Sequence, residues 1–598
     1  MADDKREKWY RSPITKINKR ALTKRMRKVE DATVRHAHKF IIKRWSNVIE
    51  VQRHIVLWVI TVALLILATG FQLMWYQQSY RTSADAHDGT YAEAVLGPIN
   101  TLNPLFASSS AEQSASYLMF SSLLKYDKTG NLNNDLVKNI SVDASHTQYT
   151  VSIRSDVKWH DGHKLTASDI AFTVGIMQNP NARTSYSGWS DVSVKTVDDT
   201  MLVFKLSSPY AAFEHVLTFP IVPEHILKDI APGKIRENTF SQNPIGSGPF
   251  ALRLVQDVDS KSNRKVIYMV RNEEYYAGNA DLARFQLHVF ESNDAIVNAL
   301  SQNEVNAAAD LLPTDINRVD TNRYVVLSKP IQSGVYAIIN IKSQFMRDAN
   351  IRSALRMATD TKAIRDKLPE TTPSLYLPFT AGQLSGKAPA EPKFDLSSAK
   401  KTLDSIGWKL GANGIRQKSG KELKISIVTL KDGEFERVLG ALSGQWRSLG
   451  IEVETKVVDP NDVSQNVAQS VLQPRNYDVL LYRLNIGADP DVYAYWHSSQ
   501  TGSDGSNFSN YSNIISDDAL TSARSRSEPE LRNAKYLTFA RQWLNDIPAI
   551  GLYQSTMQYV YNKKINSIDE SINLISPVDR YSDAMEWSVG KRNVYKTP

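Results

Sequence analysis

The chain of 598 residues contains no cysteine. A protein in an oxidising compartment would therefore have no disulfide bonds here, and its domains must be held together by packing. The same absence excludes a lipid attached to an N-terminal cysteine. The sequence also lacks a G-x-x-x-x-G-K-[ST] phosphate loop, an H-E-x-x-H zinc helix, a G-x-S-x-G nucleophile elbow and a C-x-x-C pair. We therefore expect no enzyme activity and no cofactor.

Long apolar runs are scarce, and one stands out, residues 55–75. Its 21 residues carry no charge. As a helix it would reach about 31 Å, the thickness of one hydrocarbon core. We predict a transmembrane anchor over residues 54–76, in contact with the lipid bilayer.

Positive charge is concentrated before this run. Residues 1–53 hold 16 Lys and Arg against 6 Asp and Glu, whereas the rest of the chain has a net charge of −2. Basic residues flanking a span mark its cytoplasmic side. We expect a single-pass protein of the cell membrane, with a cytoplasmic arm and an extracytoplasmic main domain. Nucleic-acid binding by the arm is the less favoured interpretation.

Cleavage of the span as a signal peptide is an open alternative, because Ala84, Asp85 and Ala86 resemble a cleavage site. A 53-residue basic region and a 21-residue apolar run are both too long for a signal peptide, which favours the anchor. Residues 38–52 have an amphipathic pattern that would suit a helix on anionic headgroups, or a plain continuation of the span. Residues 77–90 are polar and predict a short stalk.

The remaining chain alternates between strand and helix patterns. Gln148–Arg154 and Tyr477–Leu484 read as strands, and Ile351–Ile364 as one helix. Apolar residues from Phe435 to Leu449 recur at helical spacing. Thr166 is placed to cap another helix. Strands separated by helices of ten or more residues predict an α/β fold with parallel crossovers.

Two clusters could carry chemistry. His160, Asp161 and His163 stand within four residues and could bind a metal, but no third ligand at suggestive spacing supports this, and Asp-Gly is ordinary turn chemistry. We interpret the cluster as a turn. Asp489 and Asp491 could form an acid/base pair or belong to a loop that places one carboxylate in a cleft.

Five separated motifs resemble one family. They are Thr101–Pro104, Thr147–Met177, Asn243–Phe250, Asp348–Asp360 and Asp489–Gln500. In this order they are similar to motifs of the family 5 extracellular solute-binding proteins, the peptide and nickel group of ABC importers. Residues 399–408 also match in outline. Unlike most of that family, this chain has neither a lipid-bearing cysteine nor an evident cleaved signal.

The resemblance implies an α/β fold with two lobes closing as a clamshell, a type II periplasmic binding protein of the large peptide-binding class. Lobe one would comprise residues 91–331, with 553–598 returning to it. Lobe two would comprise 332–552. The cleft between them would grip peptides mainly through their backbone.

The resemblance also implies the binding residues. Asp489 matches the partner of the peptide amino group, and Arg483 matches an arginine six residues earlier. Ile486 replaces the family's usual tryptophan. Ser247 and Ser333 match cleft-facing positions. Four aromatic residues are candidates for pocket walls, with core packing as the alternative for each: Tyr186, Trp189, Tyr493 and Trp496.

We therefore expect a membrane-anchored receptor that delivers oligopeptides to the permease subunits of an ABC importer. One alternative keeps the fold and changes the solute to a metal chelate or a sugar. Another is a peptide sensor that signals through the cytoplasmic arm. A hydrolase using Asp489 and Asp491 is the least favoured.

Overall fold

The computed structural model describes residues 19–40, 52–85, 88–186, 188–259, 263–369, 371–459 and 466–595. They fall into two compact units, one comprising Met1–Ala84 with Asn593–Pro598 and the other Asp85–Arg592. Most of the predicted amphipathic stretch 38–52 lies outside the described residues.

The described part of the first unit contains two helices, Lys19–Phe40 and Gln52–Tyr80. Within the described residues, the segment Gln52–Trp75 is the one helix long and apolar enough to cross a membrane. The hydroxyls of Thr61 and Thr69 each donate to the carbonyl four residues earlier, at 2.7 Å. These bonds satisfy both hydroxyls within the helix itself.

The predicted stalk is not irregular throughout. The helix continues past the apolar run to Tyr80, and Arg81–Asp85 forms a strand paired with Lys591–Tyr595. Neither glycine nor proline occurs between Gly70 and Gly89, so nothing in the local sequence stops the helix where hydrophobicity ends.

The second unit is built on a mixed sheet of ten strands. Their spatial order is Glu452–Val458, Lys424–Leu430, Val479–Asn485, Tyr324–Ile339, Ala549–Asn562, Ala307–Ala309, Gly89–Leu96, Leu282–Phe290, Arg264–Arg271 and Phe250–Asp259. Gly89–Leu96 is parallel to both of its neighbours, and so is Lys424–Leu430. The predicted parallel crossovers are therefore present, within a sheet whose other pairs are antiparallel.

Two long antiparallel strands, Tyr324–Ile339 and Ala549–Asn562, cross the middle of this sheet. Their register shifts between Pro330 and Gly334. A separate four-stranded antiparallel sheet has the order Val137–Val142, Gln148–Ile153, Met201–Leu206 and Val192–Asp198. Shorter pairings involve Leu124–Tyr126 with Leu132–Asn134, Ile565–Asn566 with Ser588–Val589, and Lys409–Leu410 with Arg416–Lys418 and Lys421–Glu422.

Twelve α-helices accompany these strands in the described part of the second unit. They are Ser110–Met119, Ala167–Gln178, Glu224–Leu227, Asn293–Ser301, Pro313–Ile316, Ala349–Met357, Thr361–Arg365, Leu396–Ser405, Gly433–Arg447, Tyr493–Trp496, Ile514–Arg524 and Pro529–Asp546. Gly433–Arg447 confirms the helix predicted from its apolar spacing, and Thr166 caps Ala167–Gln178 as predicted.

The single helix predicted over Ile351–Ile364 is wrong. It is divided into Ala349–Met357 and Thr361–Arg365, because Asp360 turns its carboxylate to the N–H of Ala363, 2.9 Å away, and starts a new helix. Aspartate competes with helical backbone bonding in this way and favours caps over helix interiors.

Buried apolar side chains separate the second unit into two lobes. Two clusters draw on residues 91–331 and 557–587, which we call lobe one. Two others draw on residues 335–553, which we call lobe two. In each lobe the clusters cover opposite faces of the sheet, since neighbouring strand residues such as Val335 and Tyr336 fall in different clusters. The two long strands connect the lobes.

Candidate functional site

The glycine-rich loop 243–250 is clamped within lobe one. The carbonyl oxygen of Met119 accepts the N–H of Gly248 at 2.8 Å, and a Cβ at Gly246 would lie 1.9 Å from that oxygen. Glycine is required there because a side chain would collide with backbone. On the other side, His160 accepts the Gly246 N–H through Nδ1 at 3.2 Å and donates from Nε2 to the Gly248 carbonyl at 3.0 Å. Burial lowers the pKa of His160, which keeps the ring neutral for both roles.

Ser247, a predicted cleft residue, sits at the centre of this loop and is fully buried. Its hydroxyl accepts the N–H of Ser121 at 3.3 Å, and the Ser121 hydroxyl donates to the Ser247 carbonyl at 3.1 Å. The two serines therefore tie the loop to the segment that follows helix Ser110–Met119.

Ser333 lies on the long strand Tyr324–Ile339, opposite Asn485 in the sheet register. Its hydroxyl donates to Asn485 Oδ1 at 2.9 Å. The neighbouring carbonyl of Gln332 accepts from both Ile486 and Gly487, at 2.9 and 3.0 Å. These bonds fix the turn that leads from the strand toward Asp489.

Asp489 is held by an arginine that sequence spacing did not indicate. Arg532, on helix Pro529–Asp546, donates to both carboxylate oxygens at 2.8 Å, and both side chains are largely buried. Burial alone would lower the pKa of Arg532, but the bonds to Asp489 raise it. A carboxylate has about four lone-pair sites, so a bidentate arginine leaves about two for a further donor.

The guanidinium of Arg483 forms a separate ion pair, with Glu434. It donates to Ser555 Oγ at 3.0 Å and to Glu434 Oε1 at 3.2 Å, and Tyr553 donates to the same glutamate oxygen at 2.9 Å. Arg483 and Asp489 lie close in sequence, yet they bind separate partners in lobe two.

The lobes touch each other around Arg524. The N–H of Ala211 in lobe one donates to the Arg524 carbonyl at 2.8 Å. The Arg524 guanidinium lies 4.2 Å from the ring centroid of Tyr210 and 4.6 Å from that of Tyr493, one ring from each lobe. Asp491 pairs with this guanidinium at 3.3 Å. Such a cation between two aromatic faces favours the state in which the lobes are in contact.

Electrostatics at this contact are balanced. Burial raises the pKa of Asp491, although the charge of Arg524 opposes that effect. In lobe one, burial also lowers the pKa of His215, whose Nδ1 lies 2.9 Å from the Tyr126 hydroxyl. The Asp489–Arg532 pair lies next to this contact, because Arg532 Nε donates to the carbonyl of Ala523, the residue before Arg524, at 3.1 Å. We call Asp489, Asp491, Arg524 and Arg532 the interlobe charge cluster. Its two carboxylates and two guanidiniums cancel.

A cavity of about 320 Å³ lies in lobe one. Lys125 and Asp135, which form a 3.1 Å ion pair, line it together with Tyr186 and Tyr275. Burial alone would lower the pKa of Lys125, but Asp135 and Tyr275 raise it. Strand Leu124–Tyr126 places Lys125 at the cavity and Tyr126 beside His215. The volume and the few charged groups suit a small ligand or one part of a larger one.

The predicted aromatic residues occupy different surroundings. Tyr186 lines the cavity. Trp189 is 5% exposed and packs against Phe219 in the core of lobe one. Trp496 is 1% exposed, in the core of lobe two. Tyr493 stacks on Arg524 at the interlobe contact.

The structure brings together residues from both lobes that sequence reasoning missed. Arg524, Arg532 and Lys125 supply the site with its cations, and Asp135 supplies a further carboxylate. Each lies at least 10 residues from its partner in the chain, so spacing within one element gave no signal. The available signal was the placement of arginines on helices that follow the Asp489 loop.

A model of the "Bacterial extracellular solute-binding proteins, family 5 Middle" matches residues 131–506. Among curated proteins, the oligopeptide-binding protein AppA of Bacillus subtilis is 26% identical over 481 residues, covering 78% of this chain and 86% of that protein. The nickel-binding periplasmic protein of Escherichia coli is 25% identical over 386 residues, covering 60% and 68%.

Solved structures agree on the fold, with two lobes of the type II periplasmic binding class. The chain resembles Bacillus subtilis AppA in complex with a nonapeptide at a TM-score of 0.72 and 23% identity, covering 85% of this chain and 100% of that one. It resembles Campylobacter jejuni NikZ in complex with Ni(L-His) at a TM-score of 0.72 and 25% identity, covering 83% and 99%.

Proposed function

Because this chain belongs to the family 5 bacterial extracellular solute-binding proteins, we propose that it captures oligopeptides between its lobes and delivers them to the permease subunits of an ABC importer. Relatives of this family are solute-binding proteins, so the proposal includes no catalysis. The Bacillus subtilis relative AppA, whose alignment covers 78% of the chain, is named for oligopeptide binding, which supports this solute class.

The observation that carries the proposal is the largely buried Asp489–Arg532 pair beside the interlobe contact. A peptide amino group entering a closed cleft needs a negative partner, because an unpaired charge in a low-dielectric site is costly. Arg532 holds the carboxylate of Asp489 in one orientation and leaves acceptor capacity on it. We assign the peptide amino group to Asp489, with Arg532 as the residue that positions it.

Main-chain recognition accounts for the rest of the affinity. In this proposal the chain passes from lobe one to lobe two near residue 332 and returns near residue 553. In this proposal backbone groups near Ser247 and Ser333 bind the peptide main chain, as in recognition by strand addition. The cavity lined by Tyr186 and Lys125 accepts one part of the ligand. Lobe closure brings Tyr210 onto Arg524 and produces the form that the permease recognises.

The apolar helix Gln52–Trp75 anchors the protein in this proposal. Residues 1–53 carry 16 basic side chains and lie in the cytoplasm, because positive flanks are retained inside. Protease added to intact cells should then remove the main domain and leave an N-terminal tag protected. A mature protein that begins at His87 would contradict the anchor.

Native mass spectrometry of the full chain in detergent tests the solute class directly. We expect co-purified peptides of mixed sequence. Calorimetry with unrelated peptides of equal length should then give dissociation constants within about tenfold of each other, or about 1.4 kcal/mol. Binding of a nickel chelate or a sugar, with no peptide bound, would contradict the oligopeptide assignment.

A further inference from the structure

Three side chains outside the interlobe site converge on the surface of lobe one. Asp161, His163 and His225 offer ligand atoms that all lie within 4.8 Å of one another. Asp161 Oδ2 is 2.8 Å from His225 Nε2, and Asp161 Oδ1 is 3.2 Å from His163 Nδ1. The two imidazole rings stack with centroids 4.2 Å apart. The third residue, which the local sequence lacked, comes from 62 positions further along the chain.

From this geometry we infer that the three residues form a binding site for a divalent transition metal of the zinc class. Zinc binds imidazole nitrogen and carboxylate oxygen at about 2.0–2.2 Å in tetrahedral geometry, which separates neighbouring ligand atoms by about 3.3 Å. The two separations, 2.8 and 3.2 Å from different oxygens of Asp161, lie within about 0.5 Å of that value. Two imidazoles and one carboxylate select Zn²⁺, Ni²⁺ or Cu²⁺ over Mg²⁺ and Ca²⁺, which prefer oxygen ligands.

The backbone beneath the cluster is fixed before any metal binds. The turn is closed by bonds from Trp159 N–H to the His163 carbonyl and from Gly162 N–H to the Trp159 carbonyl, both 2.8 Å. Gly162 has a positive φ of 89°, which this turn requires and which glycine adopts without strain.

One buried carboxylate joins the two segments that supply the ligands. Asp169 accepts the Thr166 N–H at 2.8 Å and the Glu224 N–H at 2.9 Å. The first bond holds the end of the turn that carries Asp161, and the second holds the residue before His225. Such preorganisation reduces the cost of ordering ligands on binding.

The three side chains are open to solvent, so a metal ion can reach them. The side chain of His163 is 63% exposed, and those of Asp161 and His225 are 26% and 27% exposed. Three protein ligands leave one tetrahedral position for water. None of the three residues lines the lobe-one cavity, so the metal site is separate from the proposed peptide site and does not depend on that proposal.

The test is zinc titration by calorimetry on the full chain in detergent, prepared without a polyhistidine tag. We expect a site that binds one Zn²⁺ per chain and that loses more than about a hundredfold in affinity in His163→Ala and in His225→Ala, since even outer-shell partners of a metal contribute 10–100-fold. Asp161→Asn should also weaken it. His146→Asn, which alters a lobe-one histidine outside the cluster and suits its positive φ, is the matched control and should leave binding unchanged.

Two further readouts separate metal binding from a hydrogen-bonded cluster that serves structure alone. Cobalt should show the strong visible absorption of tetrahedral coordination in the wild type and lose it in His163→Ala. Zinc should raise the thermal midpoint of the wild type and not that of His163→Ala, because a ligand of the folded state stabilises it. Peptide binding should be equal in both proteins. Absence of zinc binding, or full binding in the His163→Ala, His225→Ala double variant, would overturn the inference.

Discussion

Two arginine–carboxylate pairs in this molecule have similar distances and different surroundings. Glu93 and Arg580 join in the core of lobe one at 2.7 Å, and both side chains are 0% exposed. Asp489 and Arg532 join at 2.8 Å where lobe two faces lobe one, with 10% and 14% of their side chains exposed. The first pair is enclosed and cannot exchange partners with a solute. The second is partly open to solvent, and in the proposed function its carboxylate accepts the peptide amino group.

Their neighbours reinforce the difference. Glu93 also accepts hydrogen bonds from Tyr559 and Tyr581, and Arg580 donates to Ser114, so the core pair is surrounded by fixed partners. The carboxylate of Asp489 is bonded to Arg532 and retains acceptor capacity for a further donor. In the proposed function this difference is what allows Asp489, and not Glu93, to bind a solute.

The largest expected effect is on stability. Glu93→Gln should lower the free energy of unfolding by about 3–5 kcal/mol, because it leaves the Arg580 guanidinium buried without a charged partner. Urea denaturation of the full chain measures the free energy of unfolding. The folded Glu93→Gln variant should still bind peptide. A loss below about 1 kcal/mol, the value of one neutral hydrogen bond, would contradict the role of the core pair.

Asp489→Asn should act on binding. We expect peptide affinity to fall by about 2 kcal/mol, or roughly thirtyfold. This is the low end of the range for a desolvated charge pair, because Arg532 already neutralises the Asp489 carboxylate. Its effect on unfolding should be smaller than that of Glu93→Gln, since this pair retains contact with solvent. Calorimetry and urea denaturation on the same preparations check both statements.

Asp491→Asn is the matched control for that variant. It removes the neighbouring carboxylate, whose partner is Arg524 and not Arg532. We expect the change in peptide affinity to be several times smaller. Equal losses of peptide affinity in the two variants would mean that only the net charge of the cluster matters. They would contradict a specific pairing of Asp489 with the peptide amino group.

Tyr210→Leu should weaken peptide binding by about 1 kcal/mol, or roughly fivefold, because it removes the cation–π contact that Arg524 makes across the lobes. Tyr493→Leu removes a contact of the same kind inside lobe two, which is present whether the lobes are open or closed. It should change affinity less. If Tyr493→Leu has the larger effect, the interlobe contact does not stabilise the closed form.

The smallest effect belongs to an exposed pair. Lys362 and Asp366 lie one helical turn apart at 2.8 Å, with side chains 76% and 59% exposed. Lys362→Ala should change the free energy of unfolding by about 0.5 kcal/mol or less, as surface pairs do. Thermal unfolding at low and high salt should detect little difference. A loss comparable to that of Glu93→Gln would contradict the ranking by burial.

Local patterns predicted the elements that local forces determine. The apolar spacing from Phe435 to Trp446 identified a helix because one face of it must be buried. Thr166 and Asp169 identified a helix start because their capping box is complete within four residues. The division near Asp360 was missed, since apolar spacing continued while the aspartate started a new helix.

The candidate site depended on contacts that no local pattern encodes. The resemblance pointed to Asp489, but Arg532 lies 43 residues later and reaches it through packing of helix Pro529–Asp546. His225 joins Asp161 from 64 residues away. Residue spacing reports neighbours within one element, so partners supplied by a second element become visible in three dimensions.

A calorimetric cycle on the full chain tests the central claim, that Asp489 receives the amino group of a bound peptide. It compares one peptide with a free and with an acetylated N-terminus, each titrated into wild type and Asp489→Asn. We predict that acetylation weakens binding to the wild type by about 2 kcal/mol and leaves binding to the variant nearly unchanged. Equal affinities of the two peptides for the wild type would contradict this assignment.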